Sequence, residues 1–281
     1  VPRHVLGGKG FTAPSSKLNM ACIGVGGKGR GDVKGVSSEN ILALCDVDQK
    51  RAQETFDAYP NARQYQDFRE MFDKETDIDA VTISTPDHTH APATMEALKR
   101  GMHVYTQKPL TRTIAESREL ETTARQKGVA TQMGNQGHSK EGPRIVNELI
   151  WQGAIGTVRK VHCWTDRPIW PQGIKNRPEN TPPVPSHLNW DLWLGPAPYR
   201  EYHPDYLPFR WRAWWNYGCG ALGDMGCHII DFPFWALKLD APASVEGYSS
   251  PVYEETAPVA SMVTYNFKSG LDGNDVELID R

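Results

Sequence analysis

The sequence predicts an α/β protein. An N-terminal doubly wound domain of the Rossmann type is expected over residues 17–135, and an α+β domain with a mostly antiparallel open sheet over residues 136–281. Three observations carry that expectation. From Leu18 onward, short apolar runs alternate with amphipathic stretches of ten or more residues. A glycine-rich turn, Gly24-Val25-Gly26-Gly27-Lys28-Gly29, stands between the first apolar run and the first helix-compatible one. Near Gly134 the alternation stops, and later apolar residues recur at every second position.

Residues 1–16 are rich in Gly, Pro and Ser, lack periodicity and read as an arm. Strands are then expected at Met20–Val25, Ile41–Cys45, Ala80–Ser84, Val104–Thr106 and Val129–Met133, from their apolar content and turn-forming flanks. Helices are expected at Ala52–Tyr59, Ala91–Lys99 and Ile114–Lys127, from apolar spacing near 3.6. Strand and helix in alternation imply βαβ units, and the right-handed crossover rule turns these into a doubly wound parallel sheet.

The second half reads differently. A helix is expected at Pro143–Trp151 and a strand at Gly156–Thr165. Residues 166–217 look irregular, with many Pro, Trp, Tyr and Arg. One apolar helix, Gly223–Leu237, is followed by strands at Ala243–Ser249 and Val259–Phe267, and Gly270–Arg281 reads as a polar tail.

Composition narrows the function classes. A chain of 281 residues fits two domains at about 150 residues each. The net charge of −3 gives no basic surface for nucleic acid or anionic lipid. No apolar run reaches the ~18 residues that a membrane helix needs. The five cysteines are odd in number and include no C-x-x-C, so neither a disulfide framework nor a zinc knuckle is indicated. Cys22 and Cys45 lie in strand-like runs and are expected as buried thiols. The chain starts at Val1 without an initiator Met, so no compartment follows: cytoplasm, or periplasm after removal of an export signal.

The turn at 24–29 fits G-x-G-x-x-G in its proper context, after a strand and before a helix. Gly24 permits the tight turn, Gly26 lets the backbone approach a pyrophosphate, and Gly29 lets helix and strand pack closely. Gly27 and Lys28 open the helix whose N–H groups face the phosphates. Asp46 ends the next strand, 22 residues after Gly24, where a carboxylate bonds a ribose 2′-hydroxyl and repels a 2′-phosphate. NAD is therefore the expected cofactor, ahead of NADP. A turn or cap aspartate is the competing reading of Asp46. Ligands of open parallel sheets bind beyond the carboxyl ends of strands. Thr85, Pro86 and His90 after the fourth strand, and Gln107 and Lys108 after the fifth, are accordingly further cofactor-binding candidates.

These residues resemble a known family. The run Asp79-Ala80-Val81-Thr82-Ile83-Ser84-Thr85-Pro86, then His90, Gly101-Met102-His103-Val104 and Lys108-Pro109-Leu110, resembles the Gfo/Idh/MocA oxidoreductases. Gly223-Asp224-Met225-Gly226-Cys227-His228 is similar to their Asp-x-x-x-His helix motif, and Trp190-Asp191-Leu192-Trp193-Leu194-Gly195-Pro196 to a subgroup marker. The resemblance spans roughly residues 18–267. It implies hydride transfer between NAD(P) and a carbohydrate hydroxyl carbon, a small-molecule carbohydrate substrate and a homo-oligomer. It also implies that Lys108 is the catalytic lysine and that Asp224 and His228 are the acid/base pair. The family's Glu-Lys-Pro is Gln107-Lys108-Pro109 here, so residue 107 brings no charge to Lys108. Members of the family are longer, which leaves open whether the second sheet is complete.

The chemistry agrees with the residue types. Asp224 and His228, four apart, share one face of a helix. A histidine can take a hydroxyl proton near neutral pH, while a carboxylate can orient the substrate. The competing reading makes His228 a satisfied core histidine and Asp224 a helix cap. His88, His90, His162 and Cys163 do not form the three or four convergent ligands that zinc needs, so no metal is expected. Arg167 and Trp170 follow a strand end in the aromatic-rich stretch, and are candidates for substrate binding. Ordinary packing, or a subunit interface, is the other reading of that stretch. Two further functions stay open: an NAD-dependent glycosidase that oxidises the sugar 3-hydroxyl transiently, and a non-catalytic NAD sensor.

Overall fold

The computed structural model describes residues 7–8, 12–268 and 270–281. The expected arm falls mostly on residues 1–6 and 9–11, outside the described residues. The chain forms two compact units. One holds the chain up to Gly134 together with Pro182–Tyr202; the other holds Asn135–Thr181 and His203–Arg281. The sequence reading drew one boundary near residue 135, whereas the chain returns to its first unit for Pro182–Tyr202 before completing the second.

The first unit alternates strand and helix throughout: β1 (Asn19–Ile23), α1 (Lys28–Gly35), β2 (Asn40–Cys45), α2 (Gln49–Ala58), β3 (Arg63–Tyr65), α3 (Phe68–Lys74), β4 (Ala80–Ile83), α4 (His90–Lys99), β5 (His103–Gln107), α5 (Ile114–Lys127) and β6 (Thr131–Gly134). The six strands pair in the order β3-β2-β1-β4-β5-β6, all parallel. Both sheet faces are covered, as parallel sheets require. Ala21, Ile23, Val81 and Ile83 face one helical layer with Ala93, Ala97 and Leu98. Cys22 and Leu44 face the other, with Val33, Ala52 and Phe56. That burial pushes the Cys22 thiol up to about 11.

Caps set the helix limits. The Asp48 carboxylate accepts from the Arg51 N–H and starts α2 three residues before the expected Ala52. Thr113 and Glu116 form a reciprocal capping box on α5, which ends at Gly128 with φ +65°. β3 and α3 lie where the sequence reading expected neither. β3 is three residues long with two exposed, and α3 buries only Met71 and Phe72, so their apolar signal is faint.

Pro182–Tyr202 carries a short helix, α6 (Trp190–Leu194), capped by Asn189. It docks on the turn after β2: Gln49 N–H donates to the His187 carbonyl and Asn189 N–H to the Val47 carbonyl.

The second unit contains α7 (Glu141–Trp151), β7 (Lys160–Cys163), α8 (Gly220–Ile229), α9 (Asp231–Ala236), β8 (Ser244–Ser249), β9 (Ser261–Phe267) and β10 (Val276–Asp280). The strand order is β7-β10-β9-β8; two pairings are antiparallel and β10–β7 is parallel. The expected single helix Gly223–Leu237 is two helices. Pro233 has no N–H to continue the ladder to Ile229, and the break falls at Ile230. The expected polar tail is corrected as well. Residues 276–280 form an inner strand of the sheet, with Val276, Leu278 and Asp280 buried. Its alternation of buried and half-buried residues is only five residues long, and Asp280 sits at a buried position, which hides the period from a polarity reading.

Leu278 is fully buried among Cys163, Leu237, Leu239, Phe267 and Val276. Leu278→Ala should therefore cost about 2–5 kcal/mol in chemical denaturation. Glu277→Ala, on the half-buried face, should cost under about 1 kcal/mol. Equal small losses would show that β10 does not sit inside the sheet.

Candidate active site

The strands of the first sheet deliver candidate residues at their carboxyl ends. β1 and β4 are neighbours whose chains continue outward in opposite directions, so the crevice of this sheet opens between them. There Gly24 takes φ +75°, and a Cβ on it would lie 2.8 Å from the Ser84 carbonyl carbon. A Cβ on Gly29 would fall inside the Gly24 carbonyl. Only glycine fits at either position, and the tight turn lets α1 begin at Lys28. The first-turn N–H groups of α1 lack intrahelical partners and carry the positive end of its dipole. The Arg51 side chain lies against Gly26 and Gly27.

Asp46 follows β2. Its Oδ2 accepts from the Gly26 N–H at 3.0 Å and its Oδ1 from the Asp48 N–H at 3.0 Å. The cap of α2 is Asp48, not Asp46. Burial pushes the Asp46 carboxyl above the usual aspartate value, against the pull of those two N–H donors and the Arg51 guanidinium. Each oxygen keeps a second lone pair for a ligand hydroxyl.

After β4, Ser84 donates through Oγ to Asp32 Oδ2 at 2.7 Å. Thr85 Oγ1 is buried with no hydrogen-bond partner among the described residues. Pro86 leads into a turn of 3-10 helix, Asp87–Thr89. His90 opens α4 and is 1% exposed. Its Nδ1 lies 2.7 Å from the Pro109 carbonyl and its Nε2 2.9 Å from the Thr85 carbonyl. A neutral ring supplies one N–H and a protonated ring two. Either way His90 ties the loop after β4 to the loop after β5, and touches their backbone rather than open space.

Gln107 ends β5, buried, and Lys108 follows, half-buried. The Gln107 amide donates through Nε2 to Asp32 Oδ2 at 2.8 Å. Residue 107 is neutral, as the sequence has it, and its amide is bonded to the Asp32 carboxylate.

The glycine cradle, the helix start, the Asp46 carboxylate and the orphaned Thr85 hydroxyl together fit a dinucleotide. Gly24, Gly26, Gly27, Lys28 and Gly29 are the residues that would face its pyrophosphate, and Asp46 the one that would face its ribose. Among the described residues, no three His, Cys, Asp or Glu side chains converge as a metal ion requires, and no helix is long and apolar enough to cross a membrane.

In the second unit, α8 carries Asp224 and His228. Asp224 lies inside the helix, whose N-cap is Cys219, so the cap reading of Asp224 fails. It is 7% exposed, and its Oδ1 accepts from Arg212 Nε at 2.9 Å. The Arg212 guanidinium is held 4.3 Å from the ring centres of Phe209 and Trp211. That aromatic bracket fixes the cation that pairs with Asp224.

His228 Nδ1 lies 2.7 Å from Asn135 Oδ1. Asn135 Nδ2 donates to the Cys227 carbonyl at 2.8 Å. That second bond decides the first: the amide nitrogen must face the carbonyl, so the amide oxygen faces the imidazole. A neutral His228 then carries its proton on Nδ1, and Nε2 is the basic nitrogen.

Trp170 takes the packing reading. It is 4% exposed, its indole N–H is bonded to Gln172, and its ring meets Phe209 edge-on. Arg167 borders a cavity of about 580 Å³ with Gln172, Trp215 and Asp280. Sequence reasoning missed Asp32, Asn135 and Arg212. The strand-end rule points to Asn135, which follows β6 directly, and nothing local marks the other two.

The tautomer is measurable. Nitrogen-15 NMR of histidine-labelled protein should show His228 protonated at Nδ1 near neutral pH, and Asn135→Leu should remove that preference. Protonation at Nε2 in the unaltered protein would contradict the arrangement.

Comparison with known proteins bears on the fold and the family. Residues 18–135 match the family model described as an oxidoreductase family, NAD-binding Rossmann fold, and residues 146–277 match the model of the oxidoreductase family's C-terminal alpha/beta domain. A glycosyl hydrolase family 109 protein of Shewanella pealeana is 31% identical over 152 residues, 50% of this chain and 33% of that protein. An inositol 2-dehydrogenase of Salmonella typhimurium is 29% identical over 129 residues, 45% of this chain and 38% of that protein. The matches thus span well under half the length of these curated relatives. Among solved structures, the WlbA dehydrogenase of Bordetella pertussis, in complex with NADH and UDP-GlcNAcA, superposes with a TM-score of 0.68 at 18% identity, covering 94% of this chain and 70% of that one. That likeness is one of fold. With both halves matched by its models, the chain belongs to the Gfo/Idh/MocA oxidoreductase family.

Proposed function

We propose that the protein is an NAD-dependent oxidoreductase that moves a hydride between a hydroxyl-bearing carbon of a sugar or polyol and the nicotinamide. The observation that carries this reading is the His228–Asn135–Cys227 hydrogen-bond chain. A histidine held with Nε2 as its basic nitrogen suits the removal of a hydroxyl proton at neutral pH.

The bound nicotinamide supplies the hydride acceptor or donor. The chain's own residues do the rest. In the second unit, His228 Nε2 takes the hydroxyl proton in oxidation and returns it in reduction. Asp224, which accepts a hydrogen bond from Arg212, favours the imidazolium that forms. In the first unit, Lys108 donates an N–H to a substrate oxygen on which charge develops. Thr85, Pro86, Gln107 and the His90-tied loops shape the nicotinamide end, and Asp46 accepts from the ribose hydroxyls. The carboxylate repels a 2′-phosphate, which favours NAD over NADP. Arg167, at its cavity, is the remaining candidate for substrate binding. A homo-oligomer is the assembly the family implies, and β8, exposed along its whole length, offers a surface for it.

A second reading has one observation in its favour, the identity with a glycosyl hydrolase family 109 protein. An NAD-dependent glycosidase would use the same residues in both directions within one turnover. A panel of sugars, polyols and aryl glycosides separates the two. Net growth of the reduced-cofactor absorbance marks the dehydrogenase, and aglycone release without it marks the glycosidase.

Lys108→Met should lower turnover by about 10²–10⁴-fold, the usual worth of a group that stabilises or relays charge in the transition state. The affinity for NAD⁺ should change less than about tenfold. Turnover within about twofold of the unaltered protein would remove Lys108 from the chemistry.

A further inference from the structure

We propose that Asp32 is a positioning residue for the cofactor end of the site, and that Asp32 and Gln107 work as one charge-bearing pair in which Asp32 dictates the amide at position 107. The proposal rests on the NAD-dependent reading above and assigns that site a residue which no motif marks.

Three donors converge on the Asp32 carboxylate from three cofactor-facing segments. Lys28, in the first turn of α1, pairs with Oδ1. Ser84, just beyond β4, donates to Oδ2 at 2.7 Å, and Gln107, the last residue of β5, donates to Oδ2 at 2.8 Å. The carboxylate itself is 9% exposed. One buried anion thus ties the helix that faces the pyrophosphate to the two strand ends that face the nicotinamide. Hydrogen bonds to a charged group are worth roughly twice neutral ones, and a buried network acts as a unit.

The Gln107 side chain also packs against its partner strand. Gly134 is its partner across β5 and β6, and a Cβ on Gly134 would lie 2.9 Å from the Gln107 amide carbon. The amide is therefore pressed between Gly134 and Asp32, and its nitrogen must face the carboxylate. A glutamate in that slot would set two carboxylate groups at hydrogen-bond distance with no donor between them. Like charges at that range cannot both stay ionised. The Gln107-Lys108-Pro109 sequence, in place of Glu-Lys-Pro, is thus the counterpart of Asp32. Lys108 follows Gln107 directly, so whatever fixes the Gln107 side chain fixes the strand end from which Lys108 departs.

A double-mutant cycle tests the pairing, with NAD⁺ affinity read by calorimetry and turnover read separately. Gln107→Glu should weaken NAD⁺ binding at least about tenfold near pH 8, and recover much of it near pH 5, where the carboxylate pair can share a proton. Asp32→Asn should cost a similar factor at both pH values. Combining them, Asp32→Asn with Gln107→Glu, restores one carboxylate facing one amide and should bring affinity back to within about threefold of the unaltered protein. Thermal melting of each variant reports folding independently. Additive losses in the double variant, or a Gln107→Glu variant that binds NAD⁺ normally at both pH values, would overturn the proposal. An unaltered protein that does not bind NAD⁺ would overturn the functional reading itself, and this proposal with it.

Discussion

The carbonyl of Gly24 lies against Gly29 with no room for a side chain between them, and much of the first unit follows from that approach. It lets the chain leave β1 and enter α1 within a few residues. α1 then lies low over the sheet, so that Asp32, at its second turn, reaches Ser84 and Gln107 beyond the ends of β4 and β5. The same turn points the Gly26 N–H at Asp46 beyond β2. Four of the six strand ends are thereby tied to one another through backbone and side chains of a single turn and helix.

The two units solve a similar problem in different ways. Each must hold polar groups in fixed positions where water is scarce, and an unfixed buried polar group is costly. The first unit uses carboxylates that collect N–H and O–H donors: Asp46 takes two backbone N–H groups, and Asp32 takes three side chains. The second unit uses a neutral amide and a bracketed cation. Asn135 fixes the imidazole of His228, and Arg212, held between aromatic rings, fixes Asp224. Both devices cost side-chain freedom once, on folding, so that less must be ordered when a ligand binds.

The alternation of strand and helix in the first unit was legible because its central strands, β1 and β4, are buried on both faces and read as apolar runs. β3 and α3 were not, since a short edge strand with two exposed residues carries no such run. β10 escaped for a different reason: a charged residue, Asp280, occupies one of its buried positions, and its carboxyl is pushed above the usual value by burial. The break between α8 and α9 needed the backbone donor missing at Pro233. Within the site, Gly24, Gly29, Asp46 and Lys108 could be placed by rules about strand ends, and Asp224 and His228 by a motif. The strand-end rule reaches Asn135 but not its role, and nothing local marks Asp32, because their partners His228 and Gln107 lie 93 and 75 residues away. Hydrogen bonds across such distances exist only once the fold brings the strand ends and helices together.

The account turns on a dinucleotide held by the glycine turn with its ribose against Asp46. The most direct test is calorimetric titration of the unaltered protein with NAD⁺ and with NADP⁺ at the same salt concentration. The account predicts that NAD⁺ binds at least about tenfold more tightly, since a 2′-phosphate would meet a half-buried carboxylate that already accepts two backbone N–H groups. Equal or tighter binding of NADP⁺ would contradict it, and would give the phosphate to Arg51, whose side chain lies against the same turn.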